Sequence, residues 1–221
     1  MILRKMMLAE EDVAEEAIPD AENFHFGTLS MTHEGVRKAT KKAISIAKEK
    51  GIIISFDPNL RPSLWESMEI AREQVLYGLN FCDVLKISDN EIQWLTGKKE
   101  FDEGACWIKE KHPEISLILL SLGKDGSRAY YKDVEVEVPA FVQEKTIETT
   151  GAGDTFCGCM LHGICKYGLG NLDSTQLKKM LTFANAAASL ITMRKGALRV
   201  MPSKEEVENM LAMRCKKDEI A

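Results

Sequence analysis

The chain has little proline and few aromatic residues, and it contains no long apolar run. Of its 221 residues only 6 are proline and 15 are glycine, and aromatic residues make up 7%. Collagen-like and low-complexity chains contain far more glycine and proline, so both classes are excluded. No apolar run approaches the roughly 18 residues of a membrane-spanning helix. The opening segment turns acidic at Glu10 without the apolar region of a signal peptide. The sequence therefore predicts a soluble, cytoplasmic protein without a membrane partner.

Cysteine and histidine are too few and too scattered to indicate a metal site. The 6 cysteines form no Cys-x-x-Cys pair, and the 4 histidines lack metal-ligand spacing. A net charge of −5 argues against a dedicated nucleic-acid binder. The composition is instead 45% hydrophobic and 29% charged, which is enough for a packed core without disulfides. We expect one α/β domain over residues 1–221, with reduced cysteines and no nucleic-acid partner.

Amphipathic helical patterns alternate with short apolar runs through the first half of the chain. The predicted strands are 52–56, 82–86 and 115–122, and the predicted helices are 33–50, 66–77, 89–95 and 102–111. Strands joined by helices of this length form right-handed crossovers. The sequence therefore predicts a doubly wound, mostly parallel sheet with helices on both faces.

The last part of the chain changes to a hairpin followed by helices. Two short strands, 127–131 and 134–139, flank a Lys132-Asp133 turn. The predicted helices are 152–167, 174–193 and 204–213, and Asp173-x-x-Gln176 and Ser203-x-x-Glu206 are capping boxes at the last two starts. Ligands bind beyond the carboxyl ends of parallel strands. The segments to inspect are therefore 57–61, 86–91, 121–126 and the glycine turn at 151.

The stretch Thr149-Thr150-Gly151-Ala152-Gly153-Asp154 carries the clearest chemical signal. Glycines placed where a helix begins let an anion approach backbone amides that have no partner within the helix. A carboxylate in the first turn, here Asp154, can accept the proton of a hydroxyl that attacks a bound phosphoryl group. The structural alternative is that Asp154 only complements the helix dipole.

This stretch, preceded by Ile147-Glu148, resembles the C-terminal signature of the ribokinase-like (PfkB) carbohydrate kinases, normally Asp-Thr-Thr-Gly-Ala-Gly-Asp. The resemblance runs from about His25 to Leu211 and includes the segments 26–30, 57–61, 86–91, 121–126 and 183–197. It implies a ribokinase-like fold and ATP-dependent phosphorylation of a sugar or sugar-acid hydroxyl, with ATP and Mg²⁺ as cofactors. The segments 26–30 and 57–61 are closest to those of fructokinases and 2-keto-3-deoxygluconate kinases.

The resemblance also implies a role for each matching residue. Asp154 matches the catalytic base, and Gly151, Ala152 and Gly153 match the anion hole. The positions that match the nucleotide site are Lys86, Ser121, Gly123, Lys124, Gly126 and Asn185.

Three more positions match the substrate side, and one matches the magnesium site. Asp57, Asn59 and Arg61 match a segment beside the active cleft, where Arg61 would pair with a phosphate or sugar acid, or is simply a surface arginine. Glu91 matches an acid that acts on magnesium and phosphate. Because Ser88 replaces the family's asparagine, Ser88-x-x-Glu91 is equally well explained as a plain capping box.

Many family members bind a monovalent cation beside the anion hole. The resemblance places that site, for K⁺, at Glu148, Thr150, Ile191, Arg194, Gly196 and Val200. Glu148 stands in place of the usual aspartate, and Val200 offers no side-chain oxygen. Potassium dependence is therefore left open, as is a homodimer.

The family's Gly-Gly sugar-binding motif and small β-sheet lid have no counterpart in this sequence. We expect the chain to be the C-terminal two-thirds or so of a kinase, with most of the ATP site and little of the sugar site. Two functions remain: a phosphotransferase that is poorly active as this chain alone, or a non-catalytic nucleotide-binding remnant acting through a partner chain. A dinucleotide-dependent oxidoreductase is disfavoured because no G-x-G-x-x-G follows the first strand.

Overall fold

A computed structural model describes residues 8–143 and 145–218 of the chain. The chain forms two compact units, which divide between Leu119 and Leu120. Whether the two act as the single domain expected from the sequence stays a prediction.

The first unit is a parallel α/β arrangement. Its strands are β1 (Asn23–Gly27), β2 (Ile53–Asp57), β3 (Val84–Ser88) and the start of β4 (Leu117–Ser121), in the order β1-β2-β3-β4. β1 pairs in parallel with β2, and β2 with β3. The helices are α1 (Glu34–Glu49), α2 (Met68–Leu79), α3 (Asp89–Thr96) and α4 (Phe101–Lys111).

The core of this unit forms where apolar strands meet the helices. The α1 helix buries one face, formed by Val36, Ala39, Thr40, Ala43, Ile44 and Ala47. On the sheet, the rings of Phe26 and Phe56 stack with centroids 4.6 Å apart. Gly78 of α2 lies so close to Phe56 that an added Cβ would sit 2.6 Å from the ring, so this helix packs closely against β2.

The second unit is an antiparallel hairpin packed with helices. The end of β4 is followed by β5 (Ser127–Tyr131) and β6 (Val134–Val138), in the order β4-β5-β6, and the last two pair antiparallel. The helices are α5 (Ala152–Tyr167), α6 (Ser174–Ile191) and α7 (Lys204–Asp218). Leu190 of α6 and Val207 of α7 pack in one cluster with Phe141.

The predicted mostly parallel α/β fold is confirmed, and so are both capping boxes. Asp173 Oδ1 accepts from the Gln176 amide at 2.8 Å, and Glu206 Oε2 accepts from the Ser203 amide at 2.7 Å. The predicted helix 174–193 was too long. It ends at Ile191, where the Thr192 hydroxyl donates back to the Ser189 carbonyl at 2.7 Å.

Two other helices also differ from the prediction in their boundaries. The helix predicted over 66–77 is α2, which starts at Met68 because the Ser67 side chain accepts from the amide of Ile70. The last helix continues past 213 to Asp218. Within residues 8–143 and 145–218, no helix is long and apolar enough to cross a bilayer.

Candidate functional site

In the first unit, a buried ion pair joins the ends of two neighbouring strands. Asp57 ends β2 and Lys86 lies near the end of β3, and the Lys86 ammonium is 3.0 Å from Asp57 Oδ2 and 3.3 Å from Oδ1. Only 3% of Asp57 and 6% of Lys86 are exposed. Burial raises the pKa of Asp57 to about 6; the charge of Lys86 opposes that rise, and that of Glu91 adds to it. The Lys86 ammonium is thus already paired with a carboxylate of the protein, and its nucleotide-binding role stays a prediction.

The turn that follows β2 is fixed by hydrogen bonds to its backbone. The Pro58 carbonyl accepts from the Thr28 hydroxyl at 2.5 Å, and Asp57 Oδ1 accepts from the Asn59 amide at 3.1 Å. Asn59 has φ of +42°, a left-handed conformation that asparagine tolerates better than most residues. These hydrogen bonds hold the turn in place. Asn59 is half-buried, so part of its side chain remains accessible.

Glu91 ties this turn to the start of α3. Its Oε1 accepts from the Leu60 amide at 2.7 Å, while its Oε2 accepts from the amide and the hydroxyl of Ser88, at 2.9 and 2.7 Å. The carboxylate therefore caps the helix, as the capping interpretation predicted. Because both oxygens already accept from protein donors, Glu91 fits a magnesium ion reached through water better than one it ligates directly. Arg61 is exposed, with Nη1 3.2 Å from the Leu60 carbonyl.

In the second unit, β4 ends at Ser121 in a tight glycine turn. Gly123 and Gly126 have φ of +56° and +114°, which L side chains rarely adopt. The Gly126 carbonyl accepts from the Leu122 amide at 2.8 Å. A Cβ on Gly126 would lie 2.2 Å from the Val138 carbonyl oxygen, so this position requires glycine. The turn leaves Gly123 and the neighbouring Lys124 exposed, as a phosphate- or nucleotide-binding loop requires.

Asn185 is buried on α6 and uses its whole side-chain amide within the protein. Its Nδ2 donates to the carbonyls of Val138 and Pro139 at 3.0 and 3.3 Å, and its Oδ1 accepts from the Ser127 hydroxyl at 2.9 Å. These bonds hold both strands of the hairpin against α6. The predicted position of Asn185 beside the adenine is not tested, but its amide already has partners.

The start of α5 has the geometry of an anion site. Gly151 is the N-cap, with φ of +81°. The Thr155 amide donates to the Gly151 carbonyl at 2.8 Å, which is the first bond of the helix. The preceding amides of Gly153 and Asp154 lie in the first turn, where an α-helix offers no acceptor. Asp154 is exposed in this turn. These backbone groups fit a phosphate, with a carboxylate next to it.

One half of the predicted cation site is an acidic side chain held close to the backbone. Glu148 Oε2 accepts from the Gly196 amide at 3.3 Å. A hydrogen bond from Thr150, this amide and the nearby Lys195 hold the pKa of Glu148 below its usual value. A carboxylate that stays ionised here fits a cation.

The other half of that predicted site is organised by Arg194. Its amide donates to the Ile191 carbonyl at 3.1 Å, and its Nη1 donates to the Val200 carbonyl at 3.1 Å. Its guanidinium also pairs with Glu206 of α7. Two of the predicted carbonyl ligands thus already accept hydrogen bonds, and K⁺ binding stays a prediction. Among the described residues, no cluster of three or more His, Cys, Asp or Glu could hold a metal ion.

Sequence reasoning missed the contacts that build the first-unit site. It singled out Asp57 and Lys86 separately, and it did not identify the Thr28 hydroxyl or the Leu60 amide as parts of the turn. Two neighbouring parallel strands that both end in polar residues were the available signal for the ion pair. The Thr28 and Leu60 contacts depend on the chain path after β1 and β2, which no local pattern encodes.

Comparison with known proteins identifies the family of this chain. The family model described as "pfkB family carbohydrate kinase" matches residues 4–204. "Probable fructokinase-2" of Arabidopsis thaliana is 38% identical over 206 residues, which cover 93% of this chain and 62% of that protein. The chain thus spans about 62% of the length of this curated relative.

Solved structures give the same result. A double mutant of fructokinase from Vibrio cholerae O395, in its fructose-, ADP- and potassium-bound form, superposes with a TM-score of 0.84 at 28% identity, over 93% of this chain and 64% of that one. A putative ribokinase II from E. coli, in complex with ATP and Mg²⁺, has a TM-score of 0.80 at 25% identity, over 93% and 63%. The resemblance seen in the sequence is confirmed, and the chain belongs to the pfkB family of carbohydrate kinases.

Proposed function

We propose that this chain carries the ATP-binding and proton-accepting part of a cytoplasmic sugar kinase, which transfers the γ-phosphoryl group of ATP to a hydroxyl of fructose or 2-keto-3-deoxygluconate. The observation that carries the proposal is the start of α5, where the exposed Asp154 carboxylate adjoins first-turn amides, for which a helix provides no acceptor. The similarity to fructokinases supports the sugar class.

The chemistry assigned to these residues is general-base catalysis beside an anion hole. Bound Mg²⁺–ATP supplies the phosphoryl group and a metal that neutralises its charge. The Asp154 carboxylate accepts the proton of the sugar hydroxyl, a contribution of about 10²–10⁴-fold. The amides of Gly153 and Asp154 donate to the transferring phosphoryl oxygens, and Gly151 has no side chain that would hinder their approach.

The residues of the first unit would act on the metal and on the substrate. Glu91 would orient water on the magnesium ion, since its own oxygens already accept from Leu60 and Ser88. Asn59 and Arg61 would meet a polar or anionic group of the substrate from their fixed turn. Lys124 would contact a phosphate as an exposed point charge.

The second candidate is a nucleotide-binding chain that acts only through a partner. The chain spans 62% of the length of a curated fructokinase, and this candidate assigns the rest of the kinase site to a second polypeptide. Binding of ATP is common to both candidates. Turnover that depends on Asp154 belongs to the first alone.

A direct assay separates the two. The purified chain is supplied with Mg²⁺, ATP and either fructose or 2-keto-3-deoxygluconate, and ADP and sugar phosphate are measured separately. We expect sugar phosphate to form well below the usual kinase rate of about 1–100 s⁻¹. The variant Asp154→Asn should lower that rate at least about 100-fold while leaving ATP affinity unchanged.

The control is Glu205→Gln, a charge-neutralising change at an exposed acid in the first turn of α7. It should keep the wild-type rate. An Asp154→Asn variant with more than half of the wild-type rate would contradict the assigned base. ATP binding without any sugar phosphate would favour the partner-dependent candidate, and absence of ATP binding would contradict both.

A further inference from the structure

The second unit contains a cavity of which the kinase proposal uses only Asp154, at one end. Its volume is about 500 Å³, and its lining residues come from α5, α6 and the start of α7. This volume is within the range of roughly 300–1,000 Å³ that small-molecule sites occupy. Met180, Phe183, Ala187 and Val207 provide an apolar wall.

One end of the cavity has a buried hydroxyl that lacks a partner. Thr155 lines the cavity and is 6% exposed. Its Oγ1 is buried and has no hydrogen-bond partner in the part of the chain that the structure describes. Buried hydroxyls are nearly always hydrogen-bonded, so an orphan beside a cavity indicates a missing polar partner. Asp154 lies at the same end.

The remaining charged residues of the lining are mostly cationic. Lys166, Lys179 and Lys204 all line the cavity, and all three are exposed. The only acid there besides Asp154 is Glu208, whose Oε1 is 3.6 Å from the Lys204 ammonium. Lysines outnumber acids in this lining although the chain has a net charge of −5, which favours an anionic ligand.

The spacing along α5 shows how far the cavity extends along this helix. Thr155 and Lys166 both line the cavity and are eleven residues apart in one helix. At 1.5 Å per residue, they are separated by about 16 Å along the axis. A compact ion such as free phosphate cannot reach both ends, whereas an extended chain can.

We propose that this cavity binds an elongated amphipathic carboxylate. Its acidic head lies at Lys166 and Lys179, its apolar body lies against Met180 and Phe183, and a hydroxyl at its far end pairs with the orphan Oγ1 of Thr155. A hydroxyl suits that end better than a second acid, because the Asp154 carboxylate would repel another anion. The proposal does not depend on the kinase activity.

The test is calorimetric titration of the full 221-residue chain, with all amphiphiles kept below their micelle concentrations. The probe is 12-hydroxydodecanoate, and the comparison compounds are dodecanoate, dodecanedioate and dodecyltrimethylammonium. We expect the hydroxy acid to bind at one site per chain. Its affinity should be about tenfold higher than that of dodecanoate, because one additional hydrogen bond, to Thr155 Oγ1, contributes about that factor. The diacid should bind more weakly than the hydroxy acid, and the cation should not bind.

Two variants and a matched control locate the site. Lys179→Glu should weaken 12-hydroxydodecanoate about tenfold or more, whereas Lys178→Glu should leave its affinity unchanged, because Lys178 is exposed on the same helix outside the lining. Thr155→Val should remove the advantage of the hydroxy acid over dodecanoate and leave dodecanoate itself unaffected. Circular dichroism verifies that each variant is folded.

Three results would overturn the proposal. One is wild-type protein that binds none of the anions. A second is equal affinity for the anionic and the cationic amphiphile, which would show only hydrophobic adsorption. The third is equal weakening by Lys178→Glu and Lys179→Glu, which would place the anion outside the cavity.

Discussion

Removing one partner of the Asp57–Lys86 pair should destabilise the first unit far more than breaking an exposed pair. The ammonium and carboxylate are 3.0 Å apart, with 6% and 3% of their residues exposed. Removing one partner of a buried pair leaves an uncompensated charge and costs about 3–5 kcal/mol. We expect Asp57→Asn and Lys86→Met each to lower the free energy of unfolding by about that amount.

The double variant gives the sharper result. Burial already raises the pKa of Asp57 to about 6, so desolvation outweighs the attraction of Lys86. Replacing both charges removes that penalty, and neutral replacements of buried pairs are often tolerated. Asp57→Asn combined with Lys86→Met should therefore be less destabilised than the sum of the single variants, by about 2 kcal/mol or more.

Urea unfolding can be followed by tryptophan fluorescence, which reports on this unit. All three tryptophans, Trp65, Trp94 and Trp107, precede the division at Leu119. The matched control is Glu34→Gln, which breaks an exposed pair with Lys38 at 2.8 Å and should change the midpoint little. Equal effects of Asp57→Asn and Glu34→Gln, or strictly additive single variants, would refute the reasoning.

Three further predictions concern pH, an orphan hydroxyl and a glycine. Burial lowers the pKa of His112 below 6.5, so the unfolded state binds a proton more readily than the folded state. The free energy of unfolding should therefore decrease as the pH falls below 6.5. In His112→Gln the urea midpoint should change less between pH 7.5 and pH 5.5 than it does in the wild type. Thr155→Val removes an unpaired buried hydroxyl and should raise stability by about 1 kcal/mol in calorimetry, and a comparable loss would contradict this. Gly126→Ala should cost at least about 2 kcal/mol at its φ of +114°, whereas Gly158→Ala, with open space around it, should stabilise α5.

The parts of the fold that were predicted correctly are those governed by local patterns. The start of α5 was predicted at residue 152 because glycines on both sides of Ala152 mark a tight turn into a helix. The capping box at Asp173 was predicted because its two bonds join residues only three apart. In each case the residues that make the contacts are neighbours in sequence.

The contacts that could not be predicted join distant residues. The Asn185 side chain bonds to carbonyls 46 and 47 residues away, so its role in holding the hairpin depends on tertiary packing. Sequence similarity suggested that Asn185 lies near a nucleotide, but it gave no indication of these bonds. The orphan Thr155 hydroxyl is likewise defined by what surrounds it, and no spacing rule could reveal it.

The measurement that tests the central claim most directly is an amide chemical-shift titration of the ¹⁵N-labelled chain with Mg²⁺–ATP. If the start of α5 binds phosphate, the amides of Gly153 and Asp154 should show the largest shifts and saturate with a single affinity. The same titration with Asp154→Asn should give the same affinity, because the carboxylate accepts a proton and does not bind the nucleotide. Shifts confined to other parts of the chain, with Gly153 and Asp154 unchanged at saturation, would contradict the account.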